Sequence, residues 1–173
     1  MSRKLKTIIE NNDIYFDFVI NVPVSGVWKQ LTTEEGIKSF FAPHFKVDFE
    51  VGGRFEILFD TAQEAGKQGS EGMTILALEK EKLLSFTWSA PPEIPTIRLQ
   101  RTMASFYLFE ESGKTRIVFR NIGFGQGEDW RKARNYFIRA WGEIVLPRLK
   151  YSLEVEAINW LNMQSIEPIN YSQ

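Results

Sequence analysis

The sequence has no cysteine and a single histidine, His44. Those absences exclude disulfide frameworks, thiolate zinc sites, iron–sulfur clusters and cysteine nucleophiles, together with zinc sites built on two or three histidines. A Ser-His-Asp triad would have to use His44. An excess of one charge is missing too: 21 Lys and Arg stand against 22 Asp and Glu, a formal net charge of −1. Dedicated nucleic-acid binders and polybasic membrane proteins draw affinity from surplus positive charge, so neither class fits. No stretch reaches the roughly 18–20 consecutive apolar residues of a membrane span. The basic start, Met1-Ser2-Arg3-Lys4-Leu5-Lys6, leads into a polar segment, Glu10 to Asp13, where a signal peptide would carry its apolar block. A cytoplasmic location is the expectation.

What the chain holds in quantity is aromatic carbon: 14 Phe, 5 Trp and 5 Tyr, or 14% of its 173 residues. Rings at this density either fill a core heavily or wall an apolar cavity. The length suffices for one sizeable core. There are no internal repeats, low-complexity tracts or linker-like stretches. One domain over 1–173 is expected, with its core at about 14–155 and a C-terminal extension at about 157–173.

Hydrophobic periodicity places the elements. Ile14, Phe16, Phe18 and Ile20 alternate as a strand does. Pro23 opens a short helix through Leu31, and Thr33 caps a second one, with Glu34 and Glu35 at its positive end and Pro43 beyond its finish. Strands are expected at 45–51, at 55–59, from Met73 to Glu79, from Leu83 to Trp88, at about 97–110 and at 115–121. Residues 61–71 read as a loop, and three prolines make 90–95 irregular. A long helix from Glu128 or Asp129 gathers Trp130, Phe137, Ile138, Trp141, Ile144, Val145 and Leu149 on one stripe, with Pro147 expected to kink it. The order is α+β: an antiparallel sheet of six to seven strands, its apolar face covered by the one long helix, with two short helices after the first strand. A curved sheet wrapped on a single helix leaves room for a ligand between them.

Several blocks carry a family resemblance. Val27-Trp28-Lys29-Gln30-Leu31-Thr32-Thr33-Glu34-Glu35-Gly36-Ile37, Phe41-Ala42-Pro43 and Val51-Gly52-Gly53-Arg54-Phe55 resemble the opening blocks of the AHSA-like branch of the START-like superfamily, SRPBCC. Leu84-Ser85-Phe86-Thr87-Trp88, Gly113-Lys114-Thr115-Arg116-Ile117 and Ile122-Gly123-Phe124 resemble its later blocks, and Trp141 its closing region, although Gly142 follows the tryptophan instead of preceding it. The resemblance runs from about 14 to 155. It implies a helix-grip fold with a deep cavity and no single catalytic residue set. Members include hydrophobic-ligand carriers, polyketide cyclases and domains related to the activator of heat-shock protein 90 ATPase.

The candidate cavity set is Trp28, Phe40, Phe41, Phe55, Ile57, Met73, Ile75, Phe86, Trp88, Met103, Phe106, Phe137, Trp141 and Val145. Each, taken singly, reads as plain core; together they suit an apolar small-molecule pocket. Arg101, if its strand face turns inward, would hold a ligand carboxylate; turned outward, it is a solvated sheet residue. Loop residue His44 is either solvated or the one side chain suited to proton transfer near neutrality. Arg134 and Arg148 fall on the apolar stripe of the long helix, where they either snorkel or mark the polar end of a cavity. Gly123-Phe124-Gly125-Gln126-Gly127 matches neither phosphate-binding spacing and reads as a turn. Asp48, Glu50, Asp60 and Glu64 lack metal-site spacing. Binding of a hydrophobic or amphipathic small molecule, lipid-like or polyketide-like, is the first expectation, with no cofactor implied. A cyclase or hydrolase in the same cavity, a module acting on a chaperone ATPase, and a homodimer remain open.

Overall fold

The fold comes from a computed structural model that describes residues 12–172. The basic segment from Met1 to Lys6 lies outside the described residues. Strand β1 (Ile14–Ile20) buries Ile14, Phe18 and Ile20 and exposes Tyr15 and Val19, as its alternation dictates. Helix α1 (Val24–Leu31) follows Pro23, and α2 (Glu34–Phe40) follows Thr33. Thr33 caps α2 as its sequence indicates: the Gly36 N–H donates to Thr33 Oγ1 at 3.1 Å. The strands are β2 (His44–Val47), β3 (Phe55–Leu58), β4 (Ile75–Glu79), β5 (Leu83–Ser89), β6 (Arg101–Glu111) and β7 (Lys114–Ile122). A long final helix comprises α3 (Glu128–Arg139), a π-helical stretch (Ala140–Val145) and α4 (Leu146–Glu154).

The α+β class holds, but the sheet is smaller than the six to seven strands expected. Five strands form the antiparallel sheet, in the order β1-β7-β6-β5-β4, while β2 and β3 form a separate ladder. An isolated bridge, Arg54 to Thr74, joins the two just before β3 and β4, and a second, Leu58 to Gly69, ties β3 to the loop between them. The physical reason lies in Ser70. Its hydroxyl accepts from the Ile57 N–H at 2.8 Å and donates to the Phe55 carbonyl at 3.2 Å, so a side chain occupies the place of a continuing ladder.

The strand expected from Met73 begins at Ile75 and the one expected at 55–59 ends at Leu58, and two others fall further short of their patterns. The one expected at 45–51 ends at Val47, because a turn closed by Glu50 N–H to Asp48 carbonyl (2.8 Å) bends the chain early. The one expected from 97 begins at Arg101. Residues 95–100 turn instead, with the Gln100 N–H donating to the Ile97 carbonyl at 2.9 Å and Leu99 91% exposed.

Pro147 does not end the final helix; the π-helical stretch before it absorbs the lost donor. The Leu146 N–H reaches the Trp141 carbonyl, five residues back. In that register the donor for the Gly142 carbonyl would be Pro147, which has no N–H. The Tyr171 hydroxyl supplies the bond instead, at 2.5 Å. The Tyr171 ring packs on Phe16 and Phe18, with centroids 4.5 and 5.6 Å away, and burial holds its phenol well above the usual tyrosine value. The C-terminal extension, aperiodic in sequence, is therefore pinned at both ends. The Ile158 N–H donates to the Ser39 carbonyl, and the Ser172 N–H to the Asp17 carbonyl, each at 2.8 Å.

Candidate functional site

The interior is occupied by its own rings. Trp141, Phe40, Phe41, Phe55, Phe86, Phe106 and Phe119 are all fully buried. Trp141 sits at the hub, with centroids 4.5 Å from Phe119, 5.1 Å from Trp88 and 5.8 Å from Phe41. Its indole N–H donates to Asn121 Oδ1 at 3.3 Å, and the Asn121 amide donates in turn to Thr102 Oγ1 at 3.0 Å. Phe55 stacks on Phe86 at 4.1 Å behind this hub. The expected deep volume between helix and sheet is thus filled, because the aromatic surplus is spent on packing.

An apolar cleft opens at the side instead. It has a volume of about 470 Å³ and runs between the α2–β2 link and the final helix. Phe41, Ala42 and Pro43 form one wall; Phe59 and Trp88 form the floor at the sheet's end. The helix contributes Tyr136, Phe137, Ala140, Trp141, Ile144, Val145 and Arg148, a ladder of successive turns. Trp160 and Met163 bring the C-terminal extension to the rim. The Trp160 indole N–H fixes that segment by donating to the Lys38 carbonyl at 2.7 Å.

Of the residues singled out in the sequence, Phe41, Trp88, Phe137, Trp141 and Val145 come together on this cleft. Phe40, Phe55, Ile57, Met73, Ile75, Phe86 and Phe106 are buried in the core behind it, and Trp28 packs half-buried against that core. Met103 cannot join Phe106. The two differ by an odd number of residues on one strand, so they point to opposite faces of the sheet. Arg101 faces outward: it is exposed and donates to the Gly72 carbonyl at 2.6 Å. His44 is exposed at the start of β2, although its neighbours Ala42 and Pro43 reach the cleft. Arg134 is held away, donating to the Asn12 and Asp13 carbonyls at 3.0 and 3.2 Å.

Arg148 is the cationic group of the lining. Its guanidinium lies 5.3 Å from the Trp160 ring centroid, and Nη2 is 3.9 Å from the Met163 sulfur, a weak acceptor. Nine ion pairs form among the described residues, and Arg148 is in none of them. Burial pulls its pKa below the ordinary arginine value. Burial, reinforced by Glu93, raises that of the Tyr136 phenol. No group of three or more His, Cys, Asp or Glu gathers as a metal site among the described residues. No described helix is long and apolar enough to cross a membrane.

Solved structures of the same fold are numerous. Protein MLL2253 from Mesorhizobium loti is 26% identical over 82% of this chain and 96% of its own, with a TM-score of 0.65. EF2215 from Enterococcus faecalis, a conserved protein of unknown function, is 27% identical over 84% of this chain and 74% of its own, with a TM-score of 0.59. The Aha1 dimer from Colwellia psychrerythraea shares the fold at 19% identity and a TM-score of 0.62, over 83% of this chain and 97% of its own. No curated protein matches the sequence. Residues 21–154 match the family described as activator of Hsp90 ATPase homolog 1-like protein, a span that takes in both short helices, the strands β2 to β7 and the whole final helix. The chain belongs to that AHSA1 family.

Proposed function

We propose that the protein binds a hydrophobic or amphipathic small molecule in the lateral cleft between the α2–β2 link and the final helix. One observation carries this reading: large apolar side chains gather there yet stay partly open to solvent. Phe59 is 51% exposed, Met163 46% and Ile144 45%, all on the lining of one concavity. Its volume falls within the roughly 300–1,000 Å³ of small-molecule sites. Transfer of apolar ligand surface from water onto these walls supplies the driving force, at about 25 cal/mol per Å² before ordering costs.

The lining does not favour a cyclase or hydrolase. Its titratable side chains are Tyr136 and Arg148, and neither titrates near neutrality: Tyr136 is shifted further upward by burial, and an arginine keeps its proton. The chaperone-directed reading draws on the family's description, whereas the cleft is built from this chain's own residues.

Trp88, Trp141 and Trp160 make the cleft its own reporter. Titration with a homologous series of n-alkanols should change tryptophan emission saturably. Each added pair of methylenes should tighten binding by about tenfold, at roughly 0.8 kcal/mol per buried CH₂, until the cleft is full. Affinity independent of chain length, or unchanged emission throughout, would contradict the proposal.

A further inference from the structure

The geometry points to a monoanionic, carboxylate-bearing amphiphile as the cleft's ligand, its apolar body against Trp88, Trp141 and Val145 and its carboxylate on the Arg148 guanidinium. This deepens the small-molecule reading above and rests on it. Arg148 is half-buried, one turn beyond Ile144 and Val145 on the same face of the final helix. It brings five N–H donors in a planar fork. Its partners are the face of the Trp160 ring at 5.3 Å and the Met163 thioether at 3.9 Å. Neither is a strong acceptor, so the edge of the guanidinium keeps its hydrogen-bonding capacity.

Other surface arginines spend theirs. Arg116 meets the Asp17 carboxylate at 2.6 Å, Arg54 meets that of Asp48 at 2.7 Å, and Arg98 donates to the Gly66 and Gly69 carbonyls at 2.6 and 2.9 Å. Arg148 is the arginine that the fold brings into an apolar concavity without such a partner. Contact with the Trp160 ring and the Met163 sulfur holds the guanidinium at the rim before a ligand arrives, which lowers the ordering cost of a carboxylate contact. A carboxylate matches that fork in shape and neutralises its one charge, whereas a dianionic phosphate would leave a negative charge against ring faces. The apolar walls make the pair worth more than it would be in water.

Paired ligands of equal chain length isolate the head group: decanoate and 1-decanol, titrated by tryptophan emission at pH 7.5. Decanoate should bind about tenfold tighter than decanol, as a hydrogen bond to a charged group implies. Arg148→Met should bring the ratio of the two affinities to within about twofold, and Arg148→Lys, which keeps the charge but not the fork, should fall between. In the unsubstituted protein, the Arg148 Nε–H resonance should shift with decanoate and not with decanol, a readout that does not depend on any variant folding. Equal affinities for the two ligands, or a preference that survives in Arg148→Met, would overturn the carboxylate assignment while leaving the cleft in place. Failure of both ligands to bind would overturn the cleft reading itself.

Discussion

Replacing Trp141 with alanine should destabilise the protein by about 3–5 kcal/mol, the range for removing a buried tryptophan or phenylalanine. Trp141 is 1% exposed and touches ring systems contributed by the α2–β2 link, β5 and β7. Its loss leaves a cavity that Phe41, Phe119 and Trp88 cannot close without leaving their rotamers. Asn121, wholly buried, also loses the donor to its Oδ1. A buried acceptor without a partner accounts for about 1–3 kcal/mol by itself, so the upper half of the range is expected. Urea denaturation checks the value. Because Trp141 separates the filled interior from the cleft, the variant should also accept bulkier apolar ligands, read by the same emission titration through Trp88 and Trp160. A cost below about 1 kcal/mol would mean that the interior is loosely packed.

Gly36→Ala should destabilise the protein too, by less than the loss of Trp141 but against the usual sign of such a change. Within a helix, alanine is favoured over glycine by about 1 kcal/mol. At Gly36, however, a Cβ would lie 2.0 Å from the Gln30 carbonyl oxygen and 2.5 Å from its carbon. Both atoms are backbone in α1, so no side chain can swing aside. The overlap forces α2 to move as a unit and breaks the Gly36 N–H contact to Thr33 Oγ1. Overpacking of this kind costs about 1–3 kcal/mol, occasionally more, and with the cap lost a net destabilisation of about 2–3 kcal/mol is expected by chemical denaturation. Since α2 delivers Phe41 to the cleft wall, apolar ligands should bind more weakly as well.

These two positions show what was legible in the sequence. The element order was readable because strand alternation in 14–20 and 83–89 and the Thr33 cap are local signals. Local chemistry also marked the Gly-containing turns. The size of the sheet was not legible, because the break between β3 and β4 depends on the Ser70 hydroxyl, whose partners Phe55 and Ile57 lie more than ten residues away. Most of the final helix's buried face was legible, since Trp141, Val145 and Leu149 are buried where their spacing puts them. The exceptions lie in the π-helical stretch and just after it: the added residue in the turn brings Leu146 inward and leaves Ile144 45% exposed at the cleft.

The site was half legible for a related reason. Phe137, Trp141 and Val145 follow helical spacing, and Arg148 continues it, so an arginine on that stripe was the available sign of a polar end to the cleft. Parity alone sets Arg101 and Met103 on the face opposite Phe106, since a strand's facing alternates with every residue; which of the two faces turns inward was not legible. Trp160 and Met163 had no periodicity to betray them. Their position follows from long-range anchors, Ile158 on Ser39 and Tyr171 on the carbonyl that Pro147 leaves without a donor.

The most direct test of where a ligand sits is a methyl-resolved carbon–proton NMR titration with decanoate. Shifts should concentrate on Ala42, Ala140, Ile144, Val145 and Met163, the methyl groups of the cleft. Ile57, Ile75 and Ile117, each no more than 1% exposed behind the aromatic hub, should stay in place. Large shifts at those three isoleucines with none at Ile144 or Met163 would put the ligand in the interior and contradict a lateral cleft.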